Sequence, residues 1–206
     1  ATYGGDKGIF GFGYAAGDSS LTNLVNNSGV VAADVTGVGT ARRYLAAASY
    51  GTDKALFGYG YVGSSNTAVT NLVSNSGVVA TDTTGVGTAR RWATATGYGT
   101  DKAIFGYGYV SGNVSMTNLV SNSGVVATDV TGVGTARYAL AAATYGADKA
   151  IFGYGVGYVS MTNLVSNVGV VGTDVTGVGT GREKLAAAAY GGDKAIFGFG
   201  YDGSGS

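Results

Sequence analysis

The sequence predicts an all-β protein, and three observations support this prediction. The chain has 206 residues, of which 39 are glycine, none is proline and 12% are charged. Its apolar residues lie in short runs rich in Val, Ile, Thr, Tyr and Phe, and Gly, Asn, Ser or Asp separates the runs, as is typical of strands. One unit of about 47 residues recurs along the chain. We therefore expect a single domain over residues 1–200, followed by a flexible tail at 201–206.

Two sequence blocks define the repeat. The first has the pattern DKxxF and occurs five times, at starts that are 47, 48, 47 and 45 residues apart. The second block contains TNLV and GVGT and occurs four times, between the copies of the first. The five units predicted from these blocks span approximately residues 1–47, 48–95, 96–142, 143–187 and 188–200.

Each full unit is predicted to contain four strands. In one unit the runs ALAAATYG, DKAIFGYG, TNLVSN and GVVGTDVT begin at Ala139, Asp148, Thr162 and Gly169. Alanine is the best helix former, but the first run is short and ends at a glycine, which favours a strand. A sheet this small cannot bury both faces alone, so the units are expected to stack on one another.

The small residues of the first run suggest where that strand lies. Sheets that pack face to face around an axis form a β-propeller, for which 40 to 50 residues per blade is the expected size. The innermost strands converge on the axis, where alanine side chains fit. Such side chains occupy Ala46–Ala48, Ala141–Ala143 and Ala186–Ala189. The FGYG run would lie next outward, where bulkier residues fill the gap between blades.

Two motifs resemble known proteins. The stretch RYALAAATYGADKAIFGYG, which begins at Arg137, resembles the start of a kelch repeat, with the paired glycines of that family present as Gly-Tyr-Gly or Gly-Phe-Gly. The block TNLVSNSGVVATDTTGVGTAR is similar to repeat arrays of bacteriophage structural and tail-associated proteins. The resemblance implies a kelch-like β-propeller, and a viral protein located in a virion or outside the cell.

The number of blades follows from the number of runs. The first two runs occur five times and the last two occur four times, which favours five blades with an incomplete last blade. The alternative is four blades with a surplus hairpin at residues 187–200. Either arrangement leaves a strand edge unpaired, and such an edge pairs readily with another chain. We therefore predict self-association into an oligomer or fibre.

The composition excludes several classes of function. The chain has neither histidine nor cysteine, which removes the commonest zinc ligands and the nucleophile pairs of many hydrolases. Twelve basic residues balance twelve acidic ones, so no net charge attracts nucleic acid. No apolar run is long enough to span a bilayer. We expect no catalytic residue, no cofactor, no metal, no nucleic-acid partner and no membrane insertion.

Charged residues recur at equivalent positions of the units. A ring of carboxylates could bind cations, because oxygen ligands suit calcium. The favoured interpretation is structural: the aspartates close turns, and the arginines connect neighbouring strands or blades. The residues assigned this structural role are Asp6, Asp53, Asp101, Asp148, Asp193, Arg42, Arg90, Arg137 and Arg182.

Aromatic residues are the candidate binding residues. Tyrosines follow the FGYG or FGFG run beside a loop of variable length, where contacts with a partner are expected. A tyrosine offers a flat apolar face and a hydroxyl group, which suit both sugars and protein surfaces. Packing against the next blade is the alternative role. Trp92 occupies a position that is predicted to be equivalent to Tyr44, Tyr138 and Glu183. The candidate binding residues are Tyr14, Tyr61, Tyr109, Tyr158 and Trp92.

Three functions are compatible with these features. The first is a structural or adhesive module that contacts itself, a host surface glycan or a host protein. The second is a lectin-like protein with one weak sugar site per blade, which gains avidity from repetition. The third, an enzyme that uses carboxylates alone, requires a pair of acids found in one unit only. Asp18, Glu183 and Asp202 are the acidic residues without equivalents, and they are isolated from one another in the sequence.

Overall fold

A computed structural model of the protein describes residues 1–204, which contain sixteen β-strands and no helix. The all-β prediction is therefore confirmed. The described residues accordingly include no helix able to cross a membrane. The strands are β1 (Thr2–Tyr3), β2 (Lys7–Tyr14), β3 (Asp18–Val25), β4 (Ala46–Tyr50), β5 (Lys54–Gly58), β6 (Tyr61–Val62), β7 (Ser65–Asn66), β8 (Thr70–Val73), β9 (Thr94–Tyr98), β10 (Lys102–Tyr109), β11 (Asn113–Val120), β12 (Ala141–Tyr145), β13 (Lys149–Gly153), β14 (Thr162–Val165), β15 (Ala186–Tyr190) and β16 (Lys194–Gly198).

Each repeat forms one small antiparallel sheet. The strand orders are β1-β2-β3, β4-β5-β8, β9-β10-β11 and β12-β13-β14, and the fifth sheet has only β15-β16. A separate hairpin, β6-β7, extends the second repeat. In the described residues the fifth sheet has no equivalent of β3, β8, β11 or β14.

The predicted fourth strand of each unit is wrong. The GVVATDTT run of the second repeat makes only two isolated bridges to β8, at Val79 and Thr83. Between them, the Asn71 amide donates a 3.0 Å hydrogen bond to the Ala80 carbonyl and a 2.9 Å hydrogen bond to Asp82. Backbone hydrogen bonds join Thr83 to Thr70 and Ala80 to Leu72, but the Asn71 side chain occupies the space between them, so no continuous strand ladder forms. The sheets are therefore three-stranded, and the β propensity of this run is overridden by its glycine and its asparagine contacts.

The Gly-aromatic-Gly motif forms a bulge in the middle strand. In β10 the pairing register with β11 shifts between Gly106 and Gly108. Tyr107 adopts a left-handed φ of 60°, and Gly108 follows with a φ of 115°. The extra residue turns the tyrosine side chain into the space between sheets, where it is fully buried. Glycine is needed at position 108 because a side chain would collide with the backbone of Arg91 and Ala93.

The five sheets stack in sequence order through their first strands. β4 contacts β9, β9 contacts β12, and β12 contacts β15. Small side chains such as Ala48, Ala143 and Ala188 permit this close approach, and residues of all five first strands line one cavity of about 510 Å³. Within residues 1–204, no backbone hydrogen bond joins the first sheet to the last.

The chain beyond the last strand returns to the fifth sheet. Tyr201 exchanges two 2.9 Å backbone hydrogen bonds with Glu183. Gly203 lies against the ring of Tyr158, and the Ser204 amide donates to the Asp202 carboxylate. The last part of the predicted tail, at 205–206, lies outside the described residues.

Candidate binding surface and the junction between repeats

One contact between a phenylalanine ring and a glycine recurs at every junction between neighbouring sheets. A Cβ atom added to Gly58 in the second sheet would lie 2.6 Å from Cζ of Phe105 in the third. Only a residue without a side chain allows the ring to lie so close to the strand. We call this arrangement the ring-on-glycine contact. The other three pairs are Phe57 on Gly11, Phe152 on Gly106 and Phe197 on Gly153.

A tyrosine and two turns extend the same junction. The Tyr50 ring of the second sheet packs against Gly124 in a loop of the third, about 3 Å from a Cβ built there. The Gly51 amide donates a 2.7 Å hydrogen bond to the Asp101 carbonyl of the next turn. The hydrogen bond between turns recurs in all four junctions, from Gly4 to Asp53, Gly51 to Asp101, Gly99 to Asp148 and Gly146 to Asp193.

Buried arginines connect each sheet to the one before it. The Arg90 guanidinium is fully buried and lies 4.1 Å from the centre of the Tyr59 ring in the preceding sheet. It donates hydrogen bonds to the Tyr107 and Thr88 carbonyls and to the Asn118 side chain. Burial lowers the pKa of Arg90, and it lowers the pKa of the equivalent Arg42 to about 10. A pKa of about 10 lies far above neutral pH, so Arg42 remains cationic. The hydrogen bonds and the ring contact of Arg90 connect two neighbouring sheets.

The arginines at the two ends of the array, Arg42 and Arg182, have less complete contacts, and Nη2 of Arg42 is buried without a hydrogen-bond partner in the described residues. Arg137 repeats the arrangement of Arg90, with a 2.7 Å hydrogen bond to Asn163. Arg182 precedes the two-stranded sheet, and its Nε atom is buried without a hydrogen-bond partner in the described residues. In Arg42, Arg90 and Arg137 the same Nε atom donates to the carbonyl of Tyr59, Tyr107 or Tyr154.

The turn aspartates bind neighbouring side chains of their own repeat. Asp53 accepts hydrogen bonds from Lys54 at 2.9 Å and from Asn75 at 3.2 Å, and the bond from Lys54 lowers the pKa of Asp53. Asp6, Asp101 and Asp148 have equivalent Lys and Asn partners, and Asp193 contacts Lys194. No group of three or more acidic side chains capable of holding a metal ion occurs in residues 1–204.

A second set of aspartates lies in the predicted fourth run. Asp129 accepts hydrogen bonds from the Thr88 amide at 3.0 Å, from the Thr88 hydroxyl at 2.6 Å and from Asn118 at 2.9 Å. Partial burial raises the pKa of Asp129, but the hydrogen bonds from Thr88 and Asn118 outweigh this effect. The pKa of Asp129 is therefore lowered overall. These bonds connect residues 41 positions apart in the sequence.

The candidate aromatic residues meet in an alternating row with two arginines. The Arg43 guanidinium lies 4.9 Å from the Tyr14 ring and 5.0 Å from the Tyr61 ring. Arg91 lies 4.6 Å from Tyr61 and 4.7 Å from Tyr109. We call the row Tyr14, Arg43, Tyr61, Arg91 and Tyr109 the aromatic–arginine ladder. Stacking between cations and rings at these distances is favourable, more so where water is excluded.

Trp92 lies beside this ladder and contacts two further rings. Its centroid is 4.8 Å from that of Tyr44 and 4.9 Å from that of Tyr138, and it stacks on Tyr138 with an interplanar angle of 21°. Arg91 also lies 4.7 Å from the Trp92 ring. The structure thus brings Trp92 together with three of the four candidate tyrosines. Tyr158 is separate and pairs with Tyr201 at 5.7 Å.

The predicted equivalence of Trp92 with Tyr138 and Glu183 is wrong. Trp92 has a left-handed φ of 52°, and the residues that share this conformation at the equivalent turn are Tyr44, Ala139 and Lys184. Tyr138 and Glu183 are one position earlier, where the other repeats have Arg43 and Arg91. The repeated Arg-Arg pair in the first two repeats is the sequence signal that could have identified both ladder arginines.

The ladder is accessible at one end. Tyr14 is 64% exposed and Tyr44 is 44% exposed, whereas Tyr61, Trp92 and Tyr109 are half-buried. Asp18, the first residue of β3, holds Arg43 through a 2.5 Å ion pair and accepts a hydrogen bond from the Gly63 amide. The ladder thus exposes the Tyr14 ring, beside an Arg43–Asp18 ion pair whose side chains are 21% and 14% exposed.

Comparison with known proteins adds no identity to these observations. The sequence matches no protein-family model and no curated protein.

Proposed function

We propose that the chain is a non-enzymatic structural or adhesive module of a phage virion or extracellular fibre. In this proposal it associates with itself or contacts a host surface through its loops and exposed strand edges. The observation that carries the proposal is the junction between repeats, which occurs four times with the same contacts and is left open at both ends of the chain. An open, repeated junction is a surface suited to assembly.

The architecture we propose is a kelch-like β-propeller of five blades with an incomplete last blade, in which the first and last blades of one chain leave the ring open. It is supported by the five first strands that line one cavity and by β15, which contacts β12 as β12 contacts β9. A surplus hairpin on a four-bladed ring would not be expected to continue the stack in this way. A crystal structure tests the proposal, and four closed blades with a detached β15–β16 hairpin would contradict it.

The open edge of β16 supports the same function. In the described residues β16 pairs only with β15, whereas the middle strand of each three-stranded sheet is paired on both sides. An unpaired strand with exposed apolar residues is a site for association with another chain. Ile196 in this strand is 57% exposed, and Phe199 just beyond it is 89% exposed.

The hydrogen bonds of the acidic residues support a non-enzymatic role. The repeated aspartates accept hydrogen bonds from side chains or amides of the fold, as described for Asp53 and Asp129. Lowered pKa values keep both carboxylates ionised at neutral pH, which does not suit a general acid.

Light scattering combined with electron microscopy tests the self-association. The purified chain is measured over a wide range of concentrations, and the average mass is expected to rise with concentration. Discrete rings, particles or filaments should then appear in the micrographs. A monomeric mass at every concentration would contradict self-association.

Multivalent carbohydrate binding is the second candidate function. The exposed Tyr14 ring, the Arg43 guanidinium and the Asp18 carboxylate lie together, and this combination suits sugar rings with hydroxyl groups. A glycan array tests it, with Tyr14→Ala as the weakened variant and Val125→Ala, at an exposed position away from the ladder, as the control. Binding to no glycan would remove this candidate.

A further inference from the structure

The first and last sheets each leave one half of the repeated junction uncovered. The outer face of the first sheet, which we call the leading face, contains Phe10 and Val31, and these side chains are 65% and 54% exposed. Their equivalents in the third sheet, Phe105 and Val126, are 0% and 9% exposed. The difference arises because the third sheet is covered by the second, whereas nothing in the described residues covers Phe10.

The outer face of the last sheet carries the opposite half. We call this the trailing face, and it contains Tyr190, Ile196, Gly198 and Phe199. Tyr190 is 53% exposed, whereas the equivalent Tyr98 is 4% exposed. A Cβ atom at Gly198 would meet no atom within 4 Å, although the four equivalent glycines are each covered by a phenylalanine ring.

The two faces match at three specific points. Phe10 is the ring that lacks a glycine, and Gly198 is the glycine that lacks a ring. The Tyr98 ring packs on the loop glycine Gly169, but the Tyr190 ring has no such glycine beside it. Conversely, a Cβ atom built at the equivalent loop glycine Gly29 would meet no atom within 4 Å. Each junction also has a hydrogen bond from a turn glycine amide to the aspartate carbonyl of the next turn. In residues 1–204 the Gly191 amide and the Asp6 carbonyl do not form this bond.

We propose that the leading face of a second copy of this chain docks on the trailing face of the first, head to tail, with Phe10 over Gly198. This proposal rests on the proposed self-association and specifies its partner and geometry. Tyr190 would pack on Gly29 of the second copy, and the Gly191 amide would donate to its Asp6 carbonyl. The new contact would thus reproduce the four junctions already present within the chain.

The uniform junctions favour a second copy over closure of the chain on itself. The hydrogen bond between neighbouring turns measures 2.7, 2.7, 2.7 and 2.6 Å along the chain, so each junction has nearly the same geometry. Four such junctions leave Phe10 and Gly198 apart. Bringing the two ends of one chain together would require changes in these close-packed junctions, whereas a second copy docks without distorting them. A head-to-tail contact of this kind continues as a filament unless the rotation closes it.

Engineered cysteines can report this contact because the chain has no cysteine of its own. The Thr2 and Ser49 hydroxyl oxygens lie 2.7 Å apart across the first junction, which is close enough for a disulfide after substitution. At the proposed contact the equivalent pair is Ala189 of one copy and Thr2 of the next. The double variant T2C/S49C should therefore form a disulfide within one chain and serves as the geometric control.

The variant T2C/A189C tests the proposal after mild oxidation and non-reducing electrophoresis. We expect a series of covalent multimers of increasing size. Phe10→Ala in the same background should weaken association roughly ten- to hundredfold. Because Phe10 is exposed, its replacement should leave the folded chain intact. An internal disulfide in a monomer would show closure of the chain on itself and would overturn the proposal. Absence of any disulfide, while T2C/S49C forms one, would also overturn it.

Mixing two blocked variants provides an independent test. Phe10→Asp damages the leading face, and Gly198→Leu fills the open position on the trailing face. Each variant alone should be monomeric, and an equimolar mixture should form dimers only. If either variant alone still assembles, head-to-tail docking is wrong, while self-association through another surface would remain. If the native chain is monomeric, the proposed self-association fails as well.

Discussion

The ring of Phe105 lies so close to Gly58 of the preceding sheet that a Cβ atom there would be 2.6 Å from the ring. Phe105 is fully buried, so the ring cannot move aside without disturbing the core. This contact sets the distance between sheets at all four junctions. The specificity of the stack therefore depends on the glycines of the middle strands as much as on the phenylalanines.

Gly58→Ala should lower the free energy of unfolding by about 2–3 kcal/mol, because the added methyl group overlaps the Phe105 ring. Denaturant unfolding measures this change. Gly198→Ala is the matched control at concentrations where the chain is monomeric, since the equivalent position of the last sheet is then open, and it should change stability by less than about 0.5 kcal/mol. Equal effects of the two substitutions would show that strand conformation, rather than the ring, determines the cost.

Thr52→Gly should raise the free energy of unfolding by about 0.5–1 kcal/mol. Thr52 has a left-handed φ of 69°, and this conformation costs a residue with a side chain about 1–2 kcal/mol. The chain itself has glycine at the equivalent turn position in Gly5 and Gly192. Thr52→Ala keeps the Cβ atom and should give no gain. Thermal unfolding compares the two variants, and a gain in the alanine variant would contradict the explanation by strain.

Asp129→Asn should destabilise the protein by about 1 kcal/mol at neutral pH, because the Thr88 donors lose their carboxylate acceptor. Because the pKa of Asp129 is lowered in the folded state, this carboxylate becomes protonated in the unfolded chain at a higher pH than in the folded chain. The stabilisation is therefore present above about pH 4 and is lost as the pH falls through the folded-state pKa. When the free energy of unfolding is measured at decreasing pH, the Asp129→Asn variant should lose less stability than the parent chain.

Asp34→Asn is the matched control for this substitution. Asp34 is at the equivalent position of the first repeat and accepts a hydrogen bond from Asn23, but no threonine contact is formed there in the described residues. We expect a smaller loss of stability at neutral pH. An effect as large as that of Asp129→Asn would show that the threonine bonds between distant residues contribute little.

Tyr107→Phe should reduce the loss of stability at alkaline pH. Burial raises the pKa of Tyr107 from 10.0 to about 12, so the folded state keeps the phenolic proton after the unfolded state has lost it. Stability is therefore complete below pH 10 and falls by up to about 2–3 kcal/mol as the pH rises to 12. Unfolding curves at several alkaline pH values measure the difference. Tyr14→Phe removes an exposed phenol and should leave the alkaline loss as in the parent chain.

The strands and turns of each repeat could be predicted from the sequence because they depend on neighbouring residues. The alanine run, the DKxxF run and the TNLV run each become a strand, and the five-to-four ratio of the runs becomes an incomplete last sheet. The fourth run was mispredicted because the Asn71 side chain interrupts the backbone pairing of this run, and β propensity does not detect such a contact.

The sequence by itself determined the repeat, the all-β class and the absence of histidine and cysteine. Only the tertiary structure decided that Arg43 stacks between Tyr14 and Tyr61, and that Phe10 and Gly198 are left without partners. The physical reason is that strand and turn preferences are local, whereas these contacts depend on the rotation and spacing of one sheet relative to the next. That geometry is set by close packing at the junction, with Phe105 on Gly58 as its clearest example.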